Sequence, residues 1–281
     1  LKSRIVTDSS CDLPIDFLEK DGIDFSIVPL TIIVGDREFI DDETLDTKEL
    51  ITAMKACKTA SQTACPSPED FSSELRKNKE SYIITLTSGL SGTYNSARVA
   101  REMVLEENGD LKIGLFDSLA TSPFMILMIM KLRDFIKTET MDFETICEKL
   151  VNYQKTLQLR FILQDFSNLV KTGRMNRVAG VVASALSIFP ICRSDEKGQI
   201  QIVEKVRGIK KVLSSFANMV EEKLKTQEQF PVVITHCNNP SQAQILKELL
   251  EKRFNLKEIY IFPMHGLTAY YSNDKGILMA F

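Results

Sequence analysis

Three short stretches concentrate the hydroxyl chemistry of this chain. Thr85-Leu-Thr-Ser-Gly-Leu-Ser-Gly-Thr-Tyr-Asn-Ser-Ala97 sets six serine and threonine side chains and two glycines between an apolar run and an amphipathic one. Thr63-Ala-Cys-Pro-Ser-Pro68 and Asp8-Ser9-Ser10 are the other two. Hydroxyls donate hydrogen bonds without bringing a fixed charge, so a group of them suits a single oxyanion. Gly89 and Gly92 permit tight turns, and a helix starting at Ser91 would add unpaired N–H groups and a positive dipole end. Three readings are open here: Ser91 as a donor to an anion, Ser91 as a nucleophile, or Ser91 or Thr93 as a plain helix cap.

The nucleophile reading makes the protein a serine hydrolase of acyl substrates. Its pattern is Gly-Leu-Ser-Gly-Thr rather than G-x-S-x-G, and His236 and His265 are the only histidines available as a base. The loop lacks the lysine of G-x-x-x-x-G-K-[ST], which argues against nucleoside-triphosphate chemistry. A regulatory protein that binds a non-lipid anion is a third class compatible with the same hydroxyls.

Composition narrows the field. With 35 basic and 38 acidic side chains, the net charge of -3 gives no long-range attraction for nucleic acid, and no nucleic-acid partner is expected. No run approaches the roughly 20 apolar residues that span a bilayer, so stable membrane insertion is not expected. The nearest, Phe124–Met130, reads as a buried helix. Six widely spaced cysteines without C-x-x-C fit reduced thiols in a cytoplasmic protein, and no signal peptide is visible. Neither a metal nor a cofactor is expected.

The loops require a scaffold, and 281 residues suffice for one large domain or two modest ones. Strands are expected at Arg4–Asp8, Phe25–Val34 (broken at Pro29), Tyr82–Leu86 and Leu111–Phe116. Helices are expected at Pro14–Lys20, from a Thr47 cap through Met54, from Ser67-Pro68, and over Ser91–Leu105, Thr121–Ile136 and Phe143–Thr156. That alternation indicates an α/β lobe over 1–155. From Leu159 onward, two short helical pieces flank Gly173-Arg174. Strands at Leu186–Cys192 and Gln199–Val206 form a hairpin across Asp195–Gly198. Helices at Lys210–Leu224 and Ser241–Phe254 alternate with strands at Val232–Thr235 and Glu258–Phe262, which makes 156–281 an α+β lobe. Segments that interleave between the lobes are compatible with this pattern.

Taken in order, the motifs resemble the DegV family of bacterial fatty-acid-binding proteins along nearly the whole chain. They are Thr7–Leu13, Val28-Pro29-Leu30 with Asp41-Asp42, Thr63–Pro68, Thr87–Ala97, Phe116-Asp117-Ser118, Gly173-Arg174-Met175, Phe189-Pro190-Ile191 and Lys205-Val206-Arg207. The resemblance implies a two-lobed DegV-like fold with a long-chain fatty acid such as palmitate between the lobes. It implies that Thr63 and Ser91 hold the carboxylate, and that the protein is a carrier rather than an enzyme. It also implies a partner, an ATP-dependent fatty acid kinase resembling dihydroxyacetone kinases, which makes acyl-phosphate. Arg174 and Arg207 match family arginines near the pocket entrance. Asp8, Ser9 and Gly92 are further candidate head-group or partner contacts. Met125, Ile126, Met128, Ile129, Val178, Val181, Val182 and Leu186 are candidate tunnel walls. The C-terminus departs from the family's Gly-Thr-His-Thr-Gly-Pro-Gly: Tyr271 stands at the histidine position, Asn273-Asp274-Lys275 replace the last three residues, and His265 lies six residues too early. Ala64-Cys65 also replaces the usual Ser-Gln.

Overall fold

In a computed structural model the described residues are 3–57, 61–138, 140–175 and 187–281. The first half builds a parallel sheet in the order β2-β1-β6-β7, from β1 (Arg4–Asp8), β2 (Asp24–Val28), β6 (Glu80–Thr85) and β7 (Lys112–Asp117). Strand alternation sorts its side chains. Val6 and Ile83 face α2 (Pro68–Leu75) and α3 (Thr93–Glu107), while Ile5, Tyr82 and Ile84 face the opposite core. An antiparallel three-stranded sheet, β4-β3-β5, comes from β3 (Thr31–Val34), β4 (Arg37–Ile40) and β5 (Ser61–Ala64), with α1 (Thr47–Ala56) between β4 and β5 in sequence.

The second half builds a six-stranded mixed sheet in the order β10-β9-β8-β13-β11-β12. Its strands are β8 (Leu159–Ile162), β9 (Ile188–Ser194), β10 (Ile200–Arg207), β11 (Pro231–His236), β12 (Glu258–Pro263) and β13 (Ile277–Ala280). Helices α7 (Ile209–Leu224) and α8 (Pro240–Arg253) cover one face. Short helices α6 (Ser167–Lys171) and α9 (Gly266–Ser272) lie beside the strand ends. The architecture is thus a two-lobed α/β fold with a parallel and a mixed sheet.

Helix α4 (Pro123–Ile136) joins the two halves. It contacts β6 on one side and β11 and β13 on the other, and α5 (Phe143–Gln154) packs against it. Every residue from Pro123 to Met130 is buried, so the apolar run read from the sequence is a helix enclosed on all sides rather than an amphipathic one. Proline at its first position closes the entry.

Several boundaries differ from expectation for local reasons. Asp46, not Thr47, caps α1, since its carboxylate accepts from Lys48 N–H and Glu49 N–H. Ile15–Asp21 is 3₁₀ rather than α-helix and ends on Gly22 at φ 68°. Ser67 and Asp70 form the reciprocal capping box that Ser67-Pro68 announced. Of the Thr63–Pro68 stretch, read as a polar turn, Thr63 and Ala64 end strand β5, because β3 offers them a pairing edge, and Cys65–Ser67 turn into α2. The helical piece expected after Arg174 and the start of the Leu186 strand lie outside the described residues. Among those residues, no helix is long and apolar enough to cross a membrane, and no cysteine is in a disulfide.

Candidate functional site

The hydroxyl loop is organised by Thr87. Its Oγ1 accepts from Gly89 N–H at 3.0 Å and donates to Gly198 O at 3.1 Å, and its carbonyl accepts from Leu90 N–H and Ser91 N–H. Gly198, at φ +70°, has to be glycine, since a Cβ there would overlap Thr87 Oγ1. The loop is therefore moulded against the β9–β10 turn of the other half. Asp8 and Asp117 secure it from beneath. Buried Asp8 accepts from Leu86 N–H (2.7 Å) and from Ser10, and Asp117 accepts from Ser88 N–H and Leu119 N–H. Burial pushes the Asp8 carboxyl up to about 6, against the lowering effect of those donors.

Helix α3 begins at Thr93, with Gly92 in the cap position and no side-chain cap there. Ser91 Oγ accepts weakly from Thr93 N–H at 3.3 Å and lies 2.9 Å from Thr93 Oγ1. Gly92 lies beside Cys65, just past the end of β5: a Cβ on it would sit 3.4 Å from Cys65 Sγ, an ordinary contact. Thr63, on β5, pairs its Oγ1 with Tyr271 Oη at 2.8 Å. Ser61 does the same with Tyr270 Oη at 2.7 Å. Residues two apart share a strand face, so consecutive tyrosines of α9 meet consecutive outward hydroxyls of β5. The two rings pack edge to face at 4.8 Å.

Arg174 follows Gly173, which sits at φ 75°. Its Nε donates to Leu90 O at 3.2 Å and its Nη1 to Thr172 O at 2.7 Å. The guanidinium is thereby latched to the residue before Ser91.

A narrow, mostly apolar cavity lies among these groups. Leu86, Leu90, Leu159, Phe161, Leu163, Leu169, Ile200, Leu267 and Leu278 supply most of its wall, and Arg174, Thr268 and Tyr271 are among its polar members. Both halves of the chain contribute. Neither Thr63 nor Ser91 lines it; Thr63 bonds the lining residue Tyr271, and Ser91 follows the lining residue Leu90 in sequence. A shallower depression containing Thr172, Gly173 and Gln199 shares Leu90, Arg174 and Ile200 with the cavity, so Arg174 stands between the apolar interior and a polar surface.

The remaining candidates are placed elsewhere. Ser9 Oγ accepts from Leu30 N–H and lines a separate cleft with Asp12, Asp41 and His265. Arg207 is exposed at the end of β10 away from Ile200, roughly 23 Å along the strand at about 3.3 Å per residue. Met125, Ile126, Met128 and Ile129 are absent from the cavity wall and fill the core between the sheets instead. Val178, Val181, Val182 and Leu186 lie outside the described residues. Of the walls not anticipated, Leu159-x-Phe161-x-Leu163 had a readable signal, a period-two alternation.

Neither histidine hydrogen-bonds Ser91 among the described residues. His265 Nδ1 is engaged by Asp41, and His236 Nδ1 accepts from Asn239 N–H. Ser91 Oγ is instead engaged within its own loop, by Thr93. No group of three or more metal-ligating side chains occurs among the described residues.

A family model described as "Uncharacterised protein, DegV family" matches residues 2–277. A DegV domain-containing protein of Streptococcus pneumoniae is 34% identical over 282 residues, covering 99% of this chain and 98% of the relative. The crystal structure of the Streptococcus pneumoniae fatty acid kinase (Fak) B3 protein loaded with linoleic acid matches with TM-score 0.90 and 34% identity, covering 100% of this chain and 99% of that one. A Eubacterium eligens DegV family protein loaded with heptadecanoic acid matches with TM-score 0.91 and 29% identity, covering 99% and 98%.

Proposed function

This chain belongs to the DegV family, and from that premise we propose that its cavity binds a long-chain fatty acid with the carboxylate at the Thr63–Ser91 end. The observation that carries the reading is an apolar cavity, walled by Leu159, Phe161, Leu163 and Leu278 among others, whose lining also includes Tyr271, Arg174 and Leu90; Tyr271 bonds Thr63 and Leu90 precedes Ser91. The ligands of the two related structures, linoleic and heptadecanoic acid, have the same chemistry.

In this reading the tail supplies affinity and the hydroxyls supply orientation. At about 0.8 kcal/mol per buried CH₂, a sixteen-carbon tail contributes on the order of 10 kcal/mol before association costs. Thr63 Oγ1 and Ser91 Oγ donate to the carboxylate oxygens, Tyr271 shares its donor between Thr63 and the head group, and Arg174 offsets the negative charge. Asp8 and Gly92 shape the surrounding turns, while Ser9 serves the separate cleft. The carboxylate is held in place by these donors.

The protein is a carrier on this account, its 1–155 and 156–281 lobes enclosing the acyl chain. Its partner is an ATP-dependent fatty acid kinase resembling dihydroxyacetone kinases, in keeping with the name of the pneumococcal relative, and Arg207 is assigned to that contact rather than to the head group. Calorimetric titration of delipidated protein with palmitate tests the binding step. Saturable one-to-one uptake is the expected result, and no uptake of palmitate or oleate would overturn the reading.

A further inference from the structure

Two acidic residues and a histidine that the fatty-acid site does not use converge on the start of α9. Asp12, buried and held at φ 56°, accepts from His265 N–H at 2.7 Å and Thr268 Oγ1 at 2.6 Å through Oδ1, and from Ser122 Oγ through Oδ2. Asp41, 1% exposed, accepts from Leu267 N–H at 2.8 Å through Oδ2 and pairs with His265 Nδ1 at 2.7 Å through Oδ1. Gly266 lies between these contacts, and a Cβ there would overlap Asp41 Oδ1 and Leu45 Cδ2. Four donors of the 265–268 turn are thus taken up by two carboxylates from the other half of the chain.

Burying two carboxylates near one another is costly unless their acceptors are well used, and apolar packing could seat a seven-residue helix without them. What carboxylates add is direction. Each fixes a backbone N–H and a side-chain donor of the same turn, which sets both the height and the rotation of α9. Tyr271 follows Leu267 by four residues and Thr268 by three, so all three project from one helix face, and all three line the cavity. A small rotation about the α9 axis would carry Tyr271 Oη out of hydrogen-bond reach of Thr63.

We infer that Asp12 and Asp41, with His265, are positioning residues of the head-group site: they dock α9 so that Tyr271 meets Thr63 and the carboxylate end of the cavity stays formed. The inference rests on the fatty-acid reading of that cavity. It gives a role to Asp41 and to His265, neither of which lines the cavity itself.

The test separates positioning from general support of the fold by comparing palmitate with methyl palmitate. Both ligands have the same tail, but only the acid requires the donors to be placed. Delipidated wild type, Asp41→Asn, His265→Gln and Tyr271→Phe are each titrated with both ligands. The expected result is that wild type prefers the acid and that Asp41→Asn and His265→Gln lose about 3- to 10-fold of that preference, as for one or two misplaced hydrogen bonds. Binding of methyl palmitate changes by less than about twofold. Tyr271→Phe shows a comparable loss, and adding His265→Gln to it removes little more. If Asp41→Asn fails to fold, His265→Gln carries the comparison, because it leaves the Leu267 bond in place. An unchanged acid preference in His265→Gln, or an equal loss for both ligands, overturns the inference while leaving the fatty-acid site standing. Wild type that binds neither ligand, or binds both equally, overturns the head-group reading and this inference with it.

Discussion

The phenol of Tyr271 lies 2.8 Å from the hydroxyl of Thr63, across the line where the last helix of the chain meets the smallest sheet. Ser61, two positions back on β5, and Tyr270, one position back on α9, repeat the contact. The polar end of the cavity is therefore built from both halves, and its donors are linked before any ligand enters. A carboxylate arriving there meets hydroxyl donors already oriented, which lowers the ordering cost of binding.

Alanine at both Thr63 and Ser91 should weaken palmitate binding by about 10- to 100-fold, from the loss of two hydrogen bonds to a charged group at roughly 1.5 kcal/mol or more each, discounted for water entry. Methyl palmitate should be little affected, since the apolar wall is untouched. Paired titration calorimetry reads both values, and an equal loss for the two ligands would show that the hydroxyls support the cavity rather than the head group.

Leu278→Trp places a large ring in the cavity from β13, where the leucine is 5% exposed. Acyl loading should fall by about tenfold or more as the tail loses buried area. Thermal unfolding should shift only modestly, because the ring fills empty space rather than packed core. Chromatographic quantitation of extracted lipid, alongside calorimetry of unfolding, distinguishes the two effects.

Gly198→Ala should destabilise by about 2 kcal/mol or more, combining a left-handed backbone with an overlap at Thr87 Oγ1. Because the same contact anchors the hydroxyl loop, ligand-induced stabilisation should drop as well. Urea unfolding with and without palmitate measures both quantities, and a variant as stable as wild type would contradict the close approach of Thr87.

Burial pushes the Asp12 carboxyl up to about 7 and that of Asp8 to about 6. Raised values mean that the folded protein holds protons that the unfolded chain releases above about pH 4. Their stabilising contribution is therefore full below that pH and is lost as pH rises towards 6 and 7. Asp12→Asn removes one such loss, so its stability relative to wild type should improve on going from pH 4 to pH 7.5, by on the order of 1–3 kcal/mol. Urea midpoints at the two pH values provide the measurement, and a difference that is flat with pH would refute it.

Much of the scaffold was legible because periodicity and capping are local. Ser67-Pro68 announced α2, the run Phe124–Met130 announced an enclosed helix, and Asp195–Gly198 announced a hairpin. The four-residue strands β4, β5, β8 and β13 were not read, since their strand character comes from a neighbour's free edge rather than from their own composition. The hydroxyl loop was visible as a site, but its anchor was not. The bond from Thr87 to Gly198 spans 111 positions, and no local pattern encodes it. Helix α9 has no local signal because its start is fixed by Asp12 and Asp41, more than 220 residues upstream.

The most direct measurement is native mass spectrometry of the freshly purified protein after mild handling. The account predicts a population carrying one non-covalent adduct with the mass of a long-chain fatty acid, removed by delipidation and restored by palmitate or oleate. Protein that carries no acyl ligand when fresh and takes up neither acid afterwards would contradict it.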